Sequence, residues 1–244
     1  MKGEKSVVHT LKLGSLYLDN KPVTPGVKYH PGQMISFGIA LSRKAISWVP
    51  VNGLLIAHRC LLNNISWDDI DSQSLVFGKE ISLHGFRFRS RLLKVGNKKG
   101  VPNEWDAALD IVGDSNELWH WEDLFFWGQE VIKHNESNRA NRWCGSERNH
   151  NYNSANYRDR DLGFRPVLEP LSTDISAFKQ DQEILVIGSN GAVIGNLEDM
   201  TQYDIILRPK PRGLVGRASF AANMRDGTVA VDRSRILSIA HAYS

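Results

Sequence analysis

The sequence predicts an α+β protein in which short antiparallel strands outnumber a few helices. Alternating apolar and polar residues bounded by Gly, Pro and Asn recur along the chain, which is typical of strands joined by tight turns. Residues 104–112 have the apolar spacing of an amphipathic helix. From residue 178 onward the sequence contains only strand-like segments. We therefore expect a mixed, largely irregular domain followed by a small, mostly β module.

Length and composition bound the class of protein. The chain has 244 residues, 41% of them hydrophobic and 23% charged, which is ordinary for a globular protein of one large or two small domains. A formal net charge of +3 is too small to indicate a nucleic-acid partner. Residues 1–6 lack the apolar core of a signal peptide, and no apolar run approaches the roughly 18 residues of a spanning helix. We expect a cytoplasmic or virion-associated protein without a signal peptide or membrane span.

Three parts of the chain differ in their pattern of apolar, polar and turn-forming residues. Residues 1–46 predict an N-terminal β segment that packs on the main domain, residues 47–170 the main domain, and residues 171–244 the β module. Pro170 and the segment after it mark the second boundary. Turns are predicted at Asn52-Gly53, His84-Gly85 and 189–191. We expect the module to serve attachment or homo-oligomerisation, because it carries no catalytic motif.

Two short helices are predicted from their capping residues. Ser66 can cap a helical turn that begins at Trp67. Asn103 can cap a second helix, and Gly113 can end it. The apolar residues of this second helix fall on one face, namely Trp105, Ala108, Leu109 and Val112.

A polar run between two apolar anchors is the candidate functional segment. The aromatic cluster at 119–127 precedes it, and the apolar strip at 162–168 follows it. We expect Trp119, Trp121 and Phe125 to pack inward beneath the polar segment. Residues 135–161 contain almost no aliphatic side chain, and long polar segments in compact domains are usually functional or disordered loops. The segment therefore predicts a presented loop.

The polar run has the composition of an adaptable recognition surface, in which Tyr, Trp and Arg provide the anchors. The anchors would be Arg142, Trp143, Tyr152 and Tyr157. An idle, solvated loop is the alternative interpretation. The complete set of predicted ligand-binding residues is Arg139, Asn141, Arg142, Trp143, Glu147, Arg148, Asn149, His150, Asn151, Tyr152, Asn153, Asn156, Tyr157, Arg158, Asp159 and Arg160.

Catalytic and metal-binding motifs are absent from the sequence. The eight histidines do not have the spacing of metal ligands, and the two cysteines, Cys60 and Cys144, are too far apart in sequence to indicate a disulfide framework. We therefore predict no catalytic residue, no metal site and no cofactor. Calcium stays an open alternative, because Asp159, Asp161 and the surrounding asparagines offer oxygen ligands.

Several stretches together resemble a known family. They are 103–106, 118–121, 127–130, 139–157 and the Gly-Phe-Arg-Pro-Val-Leu-Glu strip at 163–169. This series resembles a C-type-lectin-fold domain of the formylglycine-generating, or sulfatase-modifying-factor, type, and it covers residues 47–170. The segments 65–69 and 92–96 are similar to those of bacterial and phage proteins of this type. The resemblance implies a C-type-lectin-like scaffold.

The resemblance also implies a function for the polar run. Some members of this group are non-enzymatic display proteins that retroelements diversify just before the closing strand, at adenines of Asn codons. Residues 149–161 have the resulting alphabet of Asn, Tyr, Ser, Asp and His, although here a β module follows. The leading hypothesis is a non-catalytic binder of a protein or glycan ligand.

Two alternatives remain at this point. Enzymatic members of the group carry a cysteine pair or a histidine-containing metal site. This chain offers Cys144 near the expected region and Cys60 far away in sequence, so no catalytic residue is carried over. A formylglycine-generating-type oxidase is one alternative, and a phage inhibitor or adaptor that binds a host protein is the other.

Overall fold

The computed structural model describes residues 10–122, 124–143, 145–171, 178–216 and 220–243. Three helices and twenty strands lie in these ranges. The helices are α1 (Trp67–Asp71), α2 (Glu104–Val112) and α3 (Asn116–Trp119), and a 3-10 turn covers Arg233–Arg235. The strands are β1 (Leu11–Leu18), β2 (Lys21–Val23), β3 (Val27–Lys28), β4 (Ile35–Gly38), β5 (Ala45–Val51), β6 (Leu54–Ala57), β7 (Leu62–Asn63), β8 (Lys79–Leu83), β9 (Phe86–Leu92), β10 (Phe125–Ile132), β11 (Asn135–Arg142), β12 (His150–Ser154), β13 (Leu162–Phe164), β14 (Pro166–Pro170), β15 (Glu183–Ile187), β16 (Gly191–Met200), β17 (Asp204–Gly216), β18 (Ala221–Asn223), β19 (Val229–Asp232) and β20 (Ser238–His241).

The first sheet joins the N-terminal strands to the middle of the chain. Its order is β2-β1-β5-β6-β14-β9-β8, and β4 also pairs with β1. Neighbouring strands are antiparallel, which suits the short turns of the sequence. Strand β14 lies between β6 and β9, so the last part of the apolar strip at 162–168 is central to this sheet.

The second sheet carries the polar run and has the order β12-β11-β10-β13-β7-β3. Strands β10 and β11 form a hairpin with two irregularities in register, and β12 pairs with β11 at the edge. The sheet is held from the other side by β13, which runs parallel to β10. Phe126 faces the apolar cluster that contains Trp105 of α2, whereas Trp127 faces the larger cluster around β1 and β5. Hydrophobic burial therefore anchors both faces of β10.

The third sheet contains the C-terminal strands in the order β18-β19-β17-β16-β15-β20. Leu185, Ile187 and Ala192 are buried in the same apolar cluster as Trp48 of β5. Backbone bonds join the two parts as well, since the Asn52 amide donates to the Ser189 carbonyl at 2.7 Å. The C-terminal strands therefore share a core with the rest of the described chain.

The predicted α+β class is wrong, because the protein is a β-rich fold. Half of the structure is strand and 9% is helix, and one sheet curls into a half-barrel. The error arises mainly in the polar run, which was expected to be a loop and instead contains β11 and β12. Sheet hydrogen bonds are made by the backbone, so polar side chains do not prevent a strand that pairs with a well-anchored neighbour.

Several local predictions are confirmed. The Ser66 hydroxyl accepts the Asp69 amide in a reciprocal capping box, and Asn103 caps α2, which ends at Gly113. The predicted turns at Asn52-Gly53, His84-Gly85 and 189–191 each join two antiparallel strands. Trp119 is fully buried as expected, whereas Trp121 and Phe125 are only partly buried, and Phe126 and Trp127 take the inner positions.

The boundaries after residues 46 and 170 stay predictions. The described structure has contacts across both of them. Strand β1 pairs with β5, and Leu171 donates its amide to the Arg87 carbonyl at 3.0 Å. Residues 172–177 of the expected linker lie outside the described residues.

Candidate functional site

The predicted binding residues lie on β11, on the edge strand β12, in the connection between these two strands and in the loop after β12. Arg139, Asn141 and Arg142 belong to β11, and residues 150–153 belong to β12. The register pairs Arg142 with His150, Asn141 with Asn151, and Ala140 with Tyr152. Because side chains alternate along a strand, the predicted set divides between the two faces of the sheet.

One predicted anchor, Arg142, and one further predicted binding residue, Asn141, are structural. Arg142 is 4% exposed; it donates to the Val95 and Arg148 carbonyls at 2.7 and 2.9 Å and pairs with Asp106 at 3.0 Å. Burial lowers the pKa of the Arg142 guanidinium, and the charge of Asp106 opposes this shift. Asn141 is fully buried and donates to the Asn153 side chain at 2.7 Å. These side chains hold the hairpin and are closed to a ligand.

Three further predicted residues contact the scaffold. The Arg139 guanidinium lies 4.4 Å from the Trp67 ring centroid, an arrangement that favours cation–π attraction. The Glu147 carbonyl accepts the Trp105 indole N–H at 2.7 Å. Arg148 pairs with Asp110 at 2.6 Å on the surface, where such a pair contributes little to stability. Contacts of this kind fix the connection between β11 and β12.

Trp143, which follows β11, and Tyr152 of β12 are the exposed aromatic side chains at this edge. Trp143 is 47% exposed and stacks on Phe125 with 5.9 Å between ring centroids. Its amide donates to the Asn149 carbonyl at 3.1 Å, so β11 and β12 stay paired there. Tyr152 is 52% exposed and shares the Arg142 face, whereas Asn151 and Asn153 share the Asn141 face. The two aromatic rings therefore mark different faces of one edge.

The segment after β12 is a loop tied to α1. Arg158 makes two 2.8 Å bonds to the Asp69 carboxylate, which also completes the capping box of α1. Burial tends to raise the pKa of Asp69, but its bonds to Arg158 and Ser66 prevail and lower it. Tyr157 is 39% exposed and donates to the Asp159 carboxylate at 3.0 Å, which raises the pKa of the phenol. The loop therefore presents Tyr157 from a fixed base.

The remaining loop residues are more open. Asn156 is exposed, and the Arg160 side chain is 90% exposed beside Asp161. Asp159 receives the amide of Asp161 at 2.8 Å. The expected calcium ligands Asp159 and Asp161 thus form a local turn, and calcium binding stays a prediction.

A pocket on the Tyr152 face was missed by the sequence analysis. It has a volume of about 460 Å³ and lies between the 96–100 turn, the β10–β11 turn and the start of β12. Of the predicted residues, only His150 and Tyr152 line it. The lining also includes Asn97, Lys98, Lys99, Ile132, Lys133 and His134. The missed residues are far apart in sequence, so only the pairing of β10, β11 and β12 brings them together.

Arg165, His58 and His120 form a second group of basic side chains, of which Arg165 is fully buried and the two histidines are partly buried. Arg165 donates to the Trp119 carbonyl at 2.6 Å and lies 4.6 Å from the Phe126 ring centroid. The His58 and His120 rings meet edge to face at 5.1 Å. Burial and the nearby cations lower the pKa of His58 to about 4. Arg165 lies between β13 and β14, so its bond to the Trp119 carbonyl links the end of α3 to this part of the chain.

Across the described ranges, no group of three or more His, Cys, Asp or Glu side chains could hold a metal ion. None of the helices in those ranges is long and apolar enough to cross a membrane. The oxidase alternative depends on Cys144, which lies outside the described residues, and Cys60 is buried beside the Phe125 carbonyl.

In comparisons with known proteins, no family model, curated protein or solved structure matches this chain. The resemblance to C-type-lectin-fold proteins therefore stays a prediction from the quoted residues. The retroelement-diversified and phage origins stay predictions as well.

Proposed function

We propose that this chain is a non-catalytic binding protein that holds a protein or glycan ligand across the edge formed by β12 and the 155–161 loop. One observation supports the proposal. Trp143, Tyr152 and Tyr157 are 47%, 52% and 39% exposed, although the backbone that carries them is fixed by buried side chains. Large rings on a rigid backbone give contact area with little loss of conformational entropy on binding.

The geometry favours a ligand that lies over the edge strand. Strand β12 ends its sheet, and Trp143 and Tyr152 lie on opposite faces of that sheet. A ligand that contacts both rings must therefore cross the edge. The Arg158–Asp69 pair keeps Tyr157 close to the same strand, because it ties the loop to α1. All three aromatic side chains are then within reach of one extended ligand.

The experiment replaces the three rings together as Trp143→Ala, Tyr152→Ala and Tyr157→Ala. Interface hot spots of this type contribute about 1–2 kcal/mol or more each, so we expect ligand capture to fall by roughly a hundredfold. The thermal midpoint should change little, because the rings are exposed. Capture is measured on glycan arrays and on immobilised protein from bacterial lysate, with bound partners identified by mass spectrometry.

A matched triple variant serves as the control. Ile39→Ala, Met224→Ala and Tyr203→Ala remove three large side chains that lie in other sheets or turns and are 76%, 48% and 71% exposed, so each is about as exposed as the test residues or more so. This variant should capture the same ligands as the unmodified protein. Equal loss of capture in both triple variants, or no loss in the first, would show that the edge is not the binding surface.

A further inference from the structure

The pocket beside Tyr152 is built on a fixed loop. The Glu130 carboxylate accepts the amides of Val95 and Gly96, each at 3.0 Å, and Arg142 donates to the Val95 carbonyl at 2.7 Å. His150 bonds to the Gly96 carbonyl at 2.9 Å, so its Nε2 carries the proton and donates. Both sides of the 95–96 peptide are therefore held, and the turn that carries Lys98 and Lys99 starts from a rigid base.

The lining of this pocket is basic on two independent sides. Lys98 and Lys99 come from the 96–100 turn, and Lys133 comes with His134 from the turn between β10 and β11. Within the described parts of the chain, none of the three lysines forms a salt bridge or a side-chain hydrogen bond, and the lining contains no carboxylate. Glu130 adjoins the loop, but its two oxygens are already bonded to the amides. Converging cations without partners attract an anionic group.

The size of the pocket indicates that its ligand is larger than the anionic group alone. A cavity of about 460 Å³ is far larger than a bare sulfate or phosphate ion and lies in the range of small-molecule sites. Tyr152 provides a half-exposed ring and Ile132 an aliphatic surface, which suit the apolar face of a sugar ring. Asn97 and the Tyr152 hydroxyl add neutral hydrogen-bonding groups for sugar hydroxyls.

We infer that this pocket binds a sugar that carries a sulfate or phosphate ester. The ester oxygens contact Lys98, Lys99 and Lys133, and the sugar ring packs on Tyr152. This inference rests on the proposed function, because it names the ligand class for the Tyr152 side of the same edge. The ester can come from a sulfated polysaccharide or from a free sugar phosphate, which share this chemistry.

The test is calorimetric titration of the purified full chain at low ionic strength. The probes are glucose 6-sulfate, glucose 6-phosphate and a heparin-derived tetrasaccharide, with glucose and inorganic phosphate as partial ligands. We expect saturable binding of the esters, weaker binding of each partial ligand, and loss of affinity as salt is added. A preference for the tetrasaccharide points to a polysaccharide, and a preference for glucose 6-phosphate points to a free sugar phosphate.

Two triple lysine variants, each of which removes three positive charges, distinguish ester binding in the pocket from a general electrostatic attraction of anions to the protein. Lys98→Gln, Lys99→Gln and Lys133→Gln should weaken ester binding by roughly tenfold or more. The control variant, Lys12→Gln, Lys79→Gln and Lys179→Gln, removes three other exposed lysines and should bind the esters normally. Equal weakening in the two variants would overturn the inference, as would the absence of ester binding to the unmodified chain.

Two further measurements complete the test. The first compares the sugar esters with other anionic ligands, and the second distinguishes failure of this inference from failure of the proposed function. Tighter binding of a single-stranded oligonucleotide, poly-glutamate or inorganic phosphate than of the sugar esters would overturn the inference. The double variant Trp143→Ala and Tyr157→Ala lies outside the pocket and should keep ester binding while macromolecular capture falls. If capture depends on these rings but the esters do not bind, the proposed function stands and the ester pocket is refuted.

Discussion

At the scale of single residues, burial decides which polar side chains are available to a ligand. Arg142 and Trp143 are adjacent, yet the guanidinium is 4% exposed and the indole 47% exposed. The sequence predicted both as anchors, because residue type indicates chemistry and carries no information about the surroundings. The buried Arg142 is bonded to two carbonyls and a carboxylate, as a buried charge requires.

A single residue, His58, is expected to make the stability of the fold depend on pH. Burial, followed by the electrostatic effects of Arg59, His120 and Arg165, lowers the pKa of His58 from 6.5 to about 4. The unfolded chain therefore binds a proton first as the pH falls below about 6.5, and the free energy of unfolding decreases until about pH 4. We expect His58→Gln to remove a loss of roughly 1–2 kcal/mol over this window, after allowance for partial solvent exposure.

Urea denaturation at a series of pH values measures this loss. His30→Gln is the control, because it removes an exposed histidine that lies outside the His58 cluster. If the His58→Gln and unmodified proteins lose stability in parallel as the pH falls, the histidine is not held neutral by the fold.

At the scale of elements, one carboxylate joins a helix to the candidate edge. Asp69 completes the capping box of α1 and also receives both bonds from Arg158 of the 155–161 loop. The sequence predicted the Ser66 cap from local spacing. The Arg158 bond joins residues 89 positions apart, so it follows only from the tertiary fold.

We predict that Asp69→Ala loosens α1 and the loop together. Loss of half of the capping box and of a charge-assisted pair should cost about 1–3 kcal/mol of unfolding free energy. Trypsin should then cleave after Arg158 and Arg160 faster, since the loop is no longer tied. The neighbouring Asp68→Ala variant is the matched control and should show little change in denaturant midpoint or in cleavage rate, because Asp68 forms neither bond. Similar behaviour of the two variants would argue against the link.

At the scale of the whole molecule, the C-terminal sheet contributes to the common core. Leu185, Ile187 and Ala240 belong to the apolar cluster that contains Trp48, and the Ser238 hydroxyl donates to the Gly53 carbonyl at 2.6 Å. The sequence predicted these strands but assigned them to a separate attachment module. Whether they also mediate homo-oligomerisation stays a prediction.

The tryptophans provide a direct measurement of this coupling, because all seven lie before residue 171. Leu185→Ala leaves a cavity in the shared core and should cost about 2–5 kcal/mol. We expect the unfolding midpoint reported by tryptophan fluorescence to fall in one transition that coincides with the circular dichroism change. Val231→Ala, in the separate cluster of the C-terminal sheet, should shift both signals together as well. An unchanged tryptophan midpoint in the Leu185→Ala variant would show that the two parts unfold independently.

The sequence by itself determined the local features of this protein. Capping residues fixed the starts of α1 and α2, and tight turns fixed three hairpins. These features depend on a few neighbouring residues, whose backbone and side-chain preferences are visible in the sequence.

Only the tertiary structure decided the class of the fold and the shape of the candidate site. The polar strands β11 and β12 are held by backbone pairing to β10, which side-chain periodicity does not reveal. Alternation along these strands then divides the predicted residues between two faces. The pairing of β10, β11 and β12 also brings Lys133 and the Lys98-Lys99 pair into one pocket with Tyr152. Long-range strand pairing thus determines which side chains line the pocket. Their order in the chain does not, because residues far apart in sequence become neighbours only when the strands pair.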